Sequence, residues 1–172
     1  MKELNLRNKV AVVTGGAGVI CSVLAKALAQ QGVKTVILDL DEEAAKAVAK
    51  SIEAETGSAS IGIGASVLDK TSLEKACRLI EDKLGIIDIL VNGAGGNSPA
   101  ATTKVEKMEG NEDDDLTFFG LKLEGFDKVF DLNFKGTLLP TLVFSKGMVK
   151  QKSGVVINIS SMNSFRPLTK IP

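Results

Sequence analysis

At 172 residues the chain is long enough for one domain with a single core, a size at which folding buries about 70% of the surface an unfolded chain exposes. Twenty-one Lys and Arg residues balance 21 Asp and Glu, so no net field draws the chain to nucleic acid or an acidic membrane, and the expected partner is a small molecule. Cys21 and Cys77 lie 56 positions apart without C-x-x-C spacing, histidine is absent, and no apolar stretch is long enough to cross a bilayer; no disulfide framework, metal site, membrane span or export segment is expected, and a reduced, cytoplasmic protein is.

The first predicted element is a strand, Lys9 to Thr14, apolar without polar alternation, as a strand covered on both faces is. TGGAGVIC, Thr14 to Cys21, follows at once, and a helix is predicted from Val19 to Gln31. Glycines between a strand and a helix let the backbone turn tightly and approach a pyrophosphate, whose charge is stabilised by the helix's unpaired N–H groups. Gly15, Ala17, Gly18, Val19 and Ile20 are therefore cofactor-binding candidates. Thr35 to Asp39 reads as the second strand and Asp41 to Glu55 as the second helix, with Asp41 as its N-cap. Asp39, about 25 positions beyond Thr14, stands where a carboxylate accepts from the two ribose hydroxyls of an adenine nucleotide. Such bonds contribute about 1.5–3 kcal/mol. A 2′-phosphate would meet a like charge there, and Leu40 supplies no cation, so NAD is expected over NADP.

Ile61 to Ser66 reads as the third strand. Thr71 to Leu84 reads as the third helix, with Thr71 and Glu74 forming a capping box, Leu73, Ala76, Cys77, Ile80 and Leu84 on one face, and Gly85 as C-cap. The fourth strand is Ile87 to Asn92. A composition shift follows from Gly96 to Glu124, including the acidic run Glu109 to Asp115, which reads as a solvated loop. Gly125 to Gln151 is predicted helical. Phe126, Val129, Phe130, Leu132 and Phe134 exceed what one buried face requires, so this helix is expected to associate with a second copy. Gly154 to Ser160 is the fifth strand, and it runs into Ser160, Ser161, Asn163 and Ser164. Strand–helix alternation implies an α/β doubly wound parallel sheet in three layers, with ligands beyond the carboxyl ends of the strands.

Four ordered motifs carry a resemblance: TGGAGVIC, then VNGAG at Val91 to Gly95, then Asn133 in DLNFKG, then INISS at Ile157 to Ser161. Together they resemble the short-chain dehydrogenase/reductase family over essentially the whole chain. The resemblance implies a single NAD-binding Rossmann domain over residues 1–172, incomplete at its C-terminus. It implies that Asn92, Ala94 and Gly95 stabilise the sheet and line the adenosine side, that Ser66 and Val67 contact adenine, that Asn133 holds a water in a proton relay, and that Ser161 hydrogen-bonds the substrate's reacting oxygen. Two positions depart from the classical glycine pattern, which would place glycine at Val19 and Cys21. The pattern of the extended, epimerase-like branch fits through Gly18 and fails at Cys21, while NGAG and Asn133 favour the classical branch.

Gly95 and Asn133 stand 38 positions apart, longer than the family's usual spacing, so residues 96–124 read as an inserted substrate-side loop. GGNSPAATTK and the stretch after it resemble the branch that includes D-mannonate oxidoreductases and gluconate dehydrogenases. By that resemblance Asn97, Ser98, Thr102 and Asn163 become candidates for sugar hydroxyls; an ordinary polar loop is the alternative. The family's proton-transferring tyrosine falls thirteen positions after Ser161, two beyond Pro172, and the sequence contains no tyrosine. The expected function is NAD(H)-dependent interconversion of a secondary alcohol and a ketone on a sugar acid or polyol. The 172 residues alone are expected to be inactive, and the rival is a non-catalytic NAD-binding module.

Overall fold

The computed structural model describes residues 5–161 together with Phe165, Lys170 and Ile171. Five strands form one sheet: β1 (Val10–Thr14), β2 (Lys34–Asp39), β3 (Ser60–Gly64), β4 (Ile89–Asn92) and β5 (Val155–Asn158). They lie in the order β3-β2-β1-β4-β5, each pair parallel. Helices α1 (Val19–Gln30), α2 (Glu42–Thr56), α3 (Lys70–Leu84), α4 (Leu123–Phe130) and α5 (Gly136–Lys150) make the crossovers. Successive strands step outward from β1 in one direction, and after β3 the chain returns to β1's other edge. A crevice opens at that switch point, above the adjacent ends of β1 and β4.

The pleat divides the core into two layers. Val10 and Val12 of β1 and Val36 and Leu38 of β2 face Leu73 and Ile80 of α3 and Val143 and Phe144 of α5. Ala11, Val13 and Ile37 face the opposite way, onto Cys21 and Ala25 of α1 and Ala45 and Ile52 of α2. This is a Rossmann-like α/β/α sandwich. The close fit of α2 over β3 explains Gly62, since a β-carbon there would overlap the backbone of Ala45 and Lys46.

Three local expectations are corrected. Helix α3 begins at Lys70, and its N-cap is Asp69, whose carboxylate accepts from the Thr71 N–H at 2.9 Å. Asp69 satisfies the orphan donor that the Thr71–Glu74 box would have served. Strand β3 stops at Gly64, leaving Ser66 and Val67 in the turn beyond it. The helix predicted over Gly125 to Gln151 is α4 and α5 joined by a π-turn, Asp131–Lys135. The wide turn frees backbone carbonyls, and side chains take them up: Asn133 Nδ2 donates to the Val129 carbonyl at 2.9 Å and the Thr137 hydroxyl to the Asn133 carbonyl at 3.0 Å. Pro140 follows inside α5 and cannot donate to the turn behind it.

Candidate functional site

The crevice is walled on one side by the turn after β1. Gly15 has φ of +61°, and a β-carbon on it would stand 2.9 Å from the Ala94 Cα, so only glycine permits this turn to rest on the turn after β4. The Thr14 hydroxyl locks the two turns together by accepting from the N–H groups of Gly93 at 3.1 Å and Ala94 at 3.2 Å. Gly18 gives α1 no side-chain cap and the first turn carries no carboxylate, so the positive end of the helix dipole is left for an external anion.

Asp39 closes the second side. One carboxylate oxygen accepts from the Ala17 N–H at 3.0 Å and the other from the Asp41 N–H at 3.3 Å. These bonds fix the carboxylate at the tip of β2, beside the glycine turn. Asp41 is indeed the N-cap of α2, accepting from Ala44.

Between these walls lies an open cavity of about 530 Å³. Of the residues expected at a cofactor, Gly15, Gly18, Val19, Ile20, Asp39, Leu40, Ser66, Val67, Ala94 and Gly95 all line it. Ala17 does not, and acts through its bond to Asp39. Asn92 takes the sheet-stabilising half of its expected role and does not line the cavity. It is 2% exposed and ties β4 to its neighbours, donating from Nδ2 to the Thr141 hydroxyl and to Asn158 Oδ1, both at 2.9 Å. Its place as the last residue of β4 puts its amide inside the sandwich. Cys21, Leu38, Ala65, Leu68, Gly93 and Leu132 also line the cavity and were not selected from sequence. All lie in or beside a motif already read; Leu132, next to Asn133, is brought to the cavity by the π-turn, which no sequence period announced.

A second cavity, about 350 Å³, adjoins the first across Leu132 and is lined by Gly96, Asn97, Ser98, Pro99, Lys128 and Val129. Asn97 and Ser98 therefore meet in one place. Their polar groups are bonded among themselves: Asn97 Nδ2 donates to the Thr102 hydroxyl at 3.0 Å, and that hydroxyl to the Ser98 carbonyl at 2.9 Å. Asn133 pins the strip between the cavities, donating from Nδ2 to the Gly96 carbonyl at 2.7 Å while Oδ1 accepts from the Gly96 N–H at 3.1 Å. Ser161 is exposed three residues beyond β5. Asn163 lies outside the described residues. Among the described residues, no cluster of side chains forms a metal site and no helix is long and apolar enough to cross a membrane.

A parallel sheet with a glycine turn at its switch point and a carboxylate at the tip of the second strand defines a dinucleotide-binding class of fold. The family model for short chain dehydrogenases matches residues 9–172, and the chain belongs to that family. Among its relatives, an uncharacterized oxidoreductase of Haemophilus influenzae is 47% identical over 170 residues, covering 98% of this chain and 59% of that protein. The uncharacterized oxidoreductase UxuB of Bacillus subtilis is 45% identical over 168 residues, covering 98% and 60%. A crystal structure with bound NAD, of a candidate D-mannonate oxidoreductase from Haemophilus influenza, superposes with a TM-score of 0.92 at 46% identity, covering 98% of this chain and 60% of that one. An NAD⁺-bound xylitol dehydrogenase shares the fold, with a TM-score of 0.82 at 23% identity. The chain thus spans about 60% of the length of the relatives it matches.

Proposed function

We propose that this chain is the NAD-binding part of an oxidoreductase that interconverts a secondary alcohol and a ketone on a sugar acid or polyol of the D-mannonate/D-fructuronate kind. The observation that carries the reading is the 530 Å³ cavity, which gathers the glycine turn, the uncapped start of α1 and the Asp39 carboxylate around one space. Similarity to an NAD-bound oxidoreductase supports it. The residues fit the group: Gly15 and Gly18 leave room for a pyrophosphate, Asp39 receives ribose hydroxyls, and Ala65 to Leu68 flank the adenine. Leu40, rather than a cation, follows Asp39 and selects NAD over NADP.

NAD supplies the hydride acceptor when bound. The chain's own residues orient and exclude. Asn133 holds Gly96 from both sides and so fixes the strip dividing the cofactor space from the space at Asn97 and Ser98, where sugar hydroxyls are received. The Ser161 hydroxyl donates to the reacting oxygen and stabilises negative charge on it. Positioned proton transfer contributes about 10²–10⁴ in rate, and the sequence offers no tyrosine to perform it. We therefore expect the 172 residues to bind NAD without turning over an alcohol, and a form extended through the expected tyrosine and lysine to do both. The rival reading is an NAD-binding module without catalysis. NADH formation from D-mannonate, D-gluconate and simple polyols, assayed on both forms, decides: turnover by the extended form alone supports the enzyme, and inactivity of both on every alcohol supports the module.

The reading includes a homo-oligomer in the cytoplasm. Phe130, Phe134, Leu138 and Leu142 recur every fourth position and are 43–68% exposed, an apolar stripe along α4, the π-turn and α5 of the kind that marks an interface. A monomeric mass at micromolar concentration, unaltered by Phe134→Glu, would overturn this assembly.

A further inference from the structure

We propose that Cys21 and Gly93 act as a matched pair that sets how closely the two halves of the cofactor cradle approach, making Cys21 a positioning residue for NAD. The proposal rests on the NAD reading above. Cys21 sits in the first turn of α1, is 6% exposed, and lines the 530 Å³ cavity. Gly93 is the first residue beyond β4 and lines the same cavity. A β-carbon on Gly93 would overlap the Cys21 sulfur and stand 2.9 Å from the Thr14 carbonyl oxygen. The thiol therefore rests on Gly93 where any other residue would place its side chain.

The contact matters because of its position. The turn after β1 touches the turn after β4 at three points: Gly15 on Ala94, the Thr14 hydroxyl on the N–H groups of Gly93 and Ala94, and Cys21 on Gly93. The first two lie before the phosphate-facing backbone of residues 16–18 and the third after it. Bulk added at the third point levers the start of α1 away while the first two hold, which moves the helix's N–H groups relative to the adenosine wall. Interiors at native density transmit such a displacement rather than absorb it. Sulfur supplies volume on one side of the contact and glycine supplies room on the other. The geometry thus links two features that the sequence presents separately, a cysteine where the classical pattern would place glycine and the glycine that follows Asn92 in the motif after β4.

The test is a double-mutant cycle in the full chain, read by NAD titration calorimetry and by hydrogen exchange at the Ala94 amide, with melting temperatures recorded for each variant. Gly93→Ala is expected to weaken NAD binding at least tenfold beside Cys21 and at least threefold less than that in a Cys21→Gly background, where only the 2.9 Å approach to the Thr14 carbonyl oxygen remains. Ala94 exchange should rise in the single variant and return in the double. Equal losses in both backgrounds, or a Gly93→Ala chain that binds NAD as its parent does, would overturn the pairing. Cys21→Val loads the same contact from the helix side and serves if Gly93→Ala does not fold: a threefold or greater loss of affinity supports the proposal, and unchanged affinity overturns it. A parent chain that fails to bind NAD defeats the proposed function, whereas Ala94 exchange needs no nucleotide and still decides the pairing.

Discussion

Strands β1 and β5 have nearly the same composition and opposite circumstances. VAVVT of β1 is buried at all five positions, while VVIN of β5 is exposed at all four, with Val155 at 54% and Ile157 at 46%. Strand β1 has a neighbour on each edge and helices over both faces. Among the described residues, strand β5 is hydrogen-bonded along one edge, to β4. Hydrophobicity gives a strand the capacity to be core; neighbours decide whether it is. In energetic terms the β1 side has already excluded water from its apolar area, at about 25 cal/mol per Å², and the β5 side has not.

The largest test of this contrast is truncation of matched apolar residues on its two sides. Leu38→Ala, at a fully buried position of β2 beside β1, should cost about 2–5 kcal/mol. Ile157→Ala in β5 should cost under about 1 kcal/mol in the same urea titration of this chain, since surface substitutions rarely exceed about half of that. Equal losses would mean that β5 is covered in solution. Next is Asp39→Ala, which removes a charged acceptor at the rim of the buried side; NAD affinity should fall about ten- to a hundredfold, as expected for bonds of about 1.5–3 kcal/mol. Calorimetry that finds NADP bound more tightly than NAD before the substitution would break the assignment.

Gly62→Ala sharpens the contrast at the dense end of the sheet. Its methyl group would run into the α2 backbone, and overpacking of this kind costs about 1–3 kcal/mol, whereas no matching loss is expected for Gly154-proximal Val155→Ala on the open edge. The smallest effect concerns pH. Burial, and then the Glu81 carboxylate, pushes the half-buried Cys77 thiol up from 9.0 to about 11. An unfolded chain gives up that proton first, so through this window the unfolded state binds fewer protons and stability falls as pH rises. Comparing unfolding of the parent and Cys77→Ala at about pH 8 and about pH 10.5 should show the parent losing slightly more; an identical decline would place the pH dependence elsewhere.

Much of this was legible in the chain. Apolar runs without alternation specify parallel strands, and their alternation with helical periods specifies a doubly wound sheet. The glycine turn and Asp39 could be read because dinucleotide binding by backbone and a carboxylate imposes residue types at set distances along the chain. Asp41 was legible as a cap because capping is local. Asp69 rather than Thr71 caps α3; both are good caps two residues apart, and only the entry angle of the chain into α3 selects between them. The π-turn was hidden because a helical period continues through it, and the carbonyls it frees are taken up by the side chains of Asn133 and Thr137.

The sequence by itself determined the order and kind of the elements, the parallel sheet and the glycine–aspartate signature, since each depends on the chemistry of neighbouring residues. Tertiary structure alone decided that the Asn92 amide is bound by Thr141 and Asn158, that Leu132 lines both cavities, and that Cys21 meets Gly93. The physical reason is range: propensity, capping and periodicity act within a few residues, whereas burial and steric fit depend on which surfaces far apart along the chain are pressed together, and no local pattern encodes that.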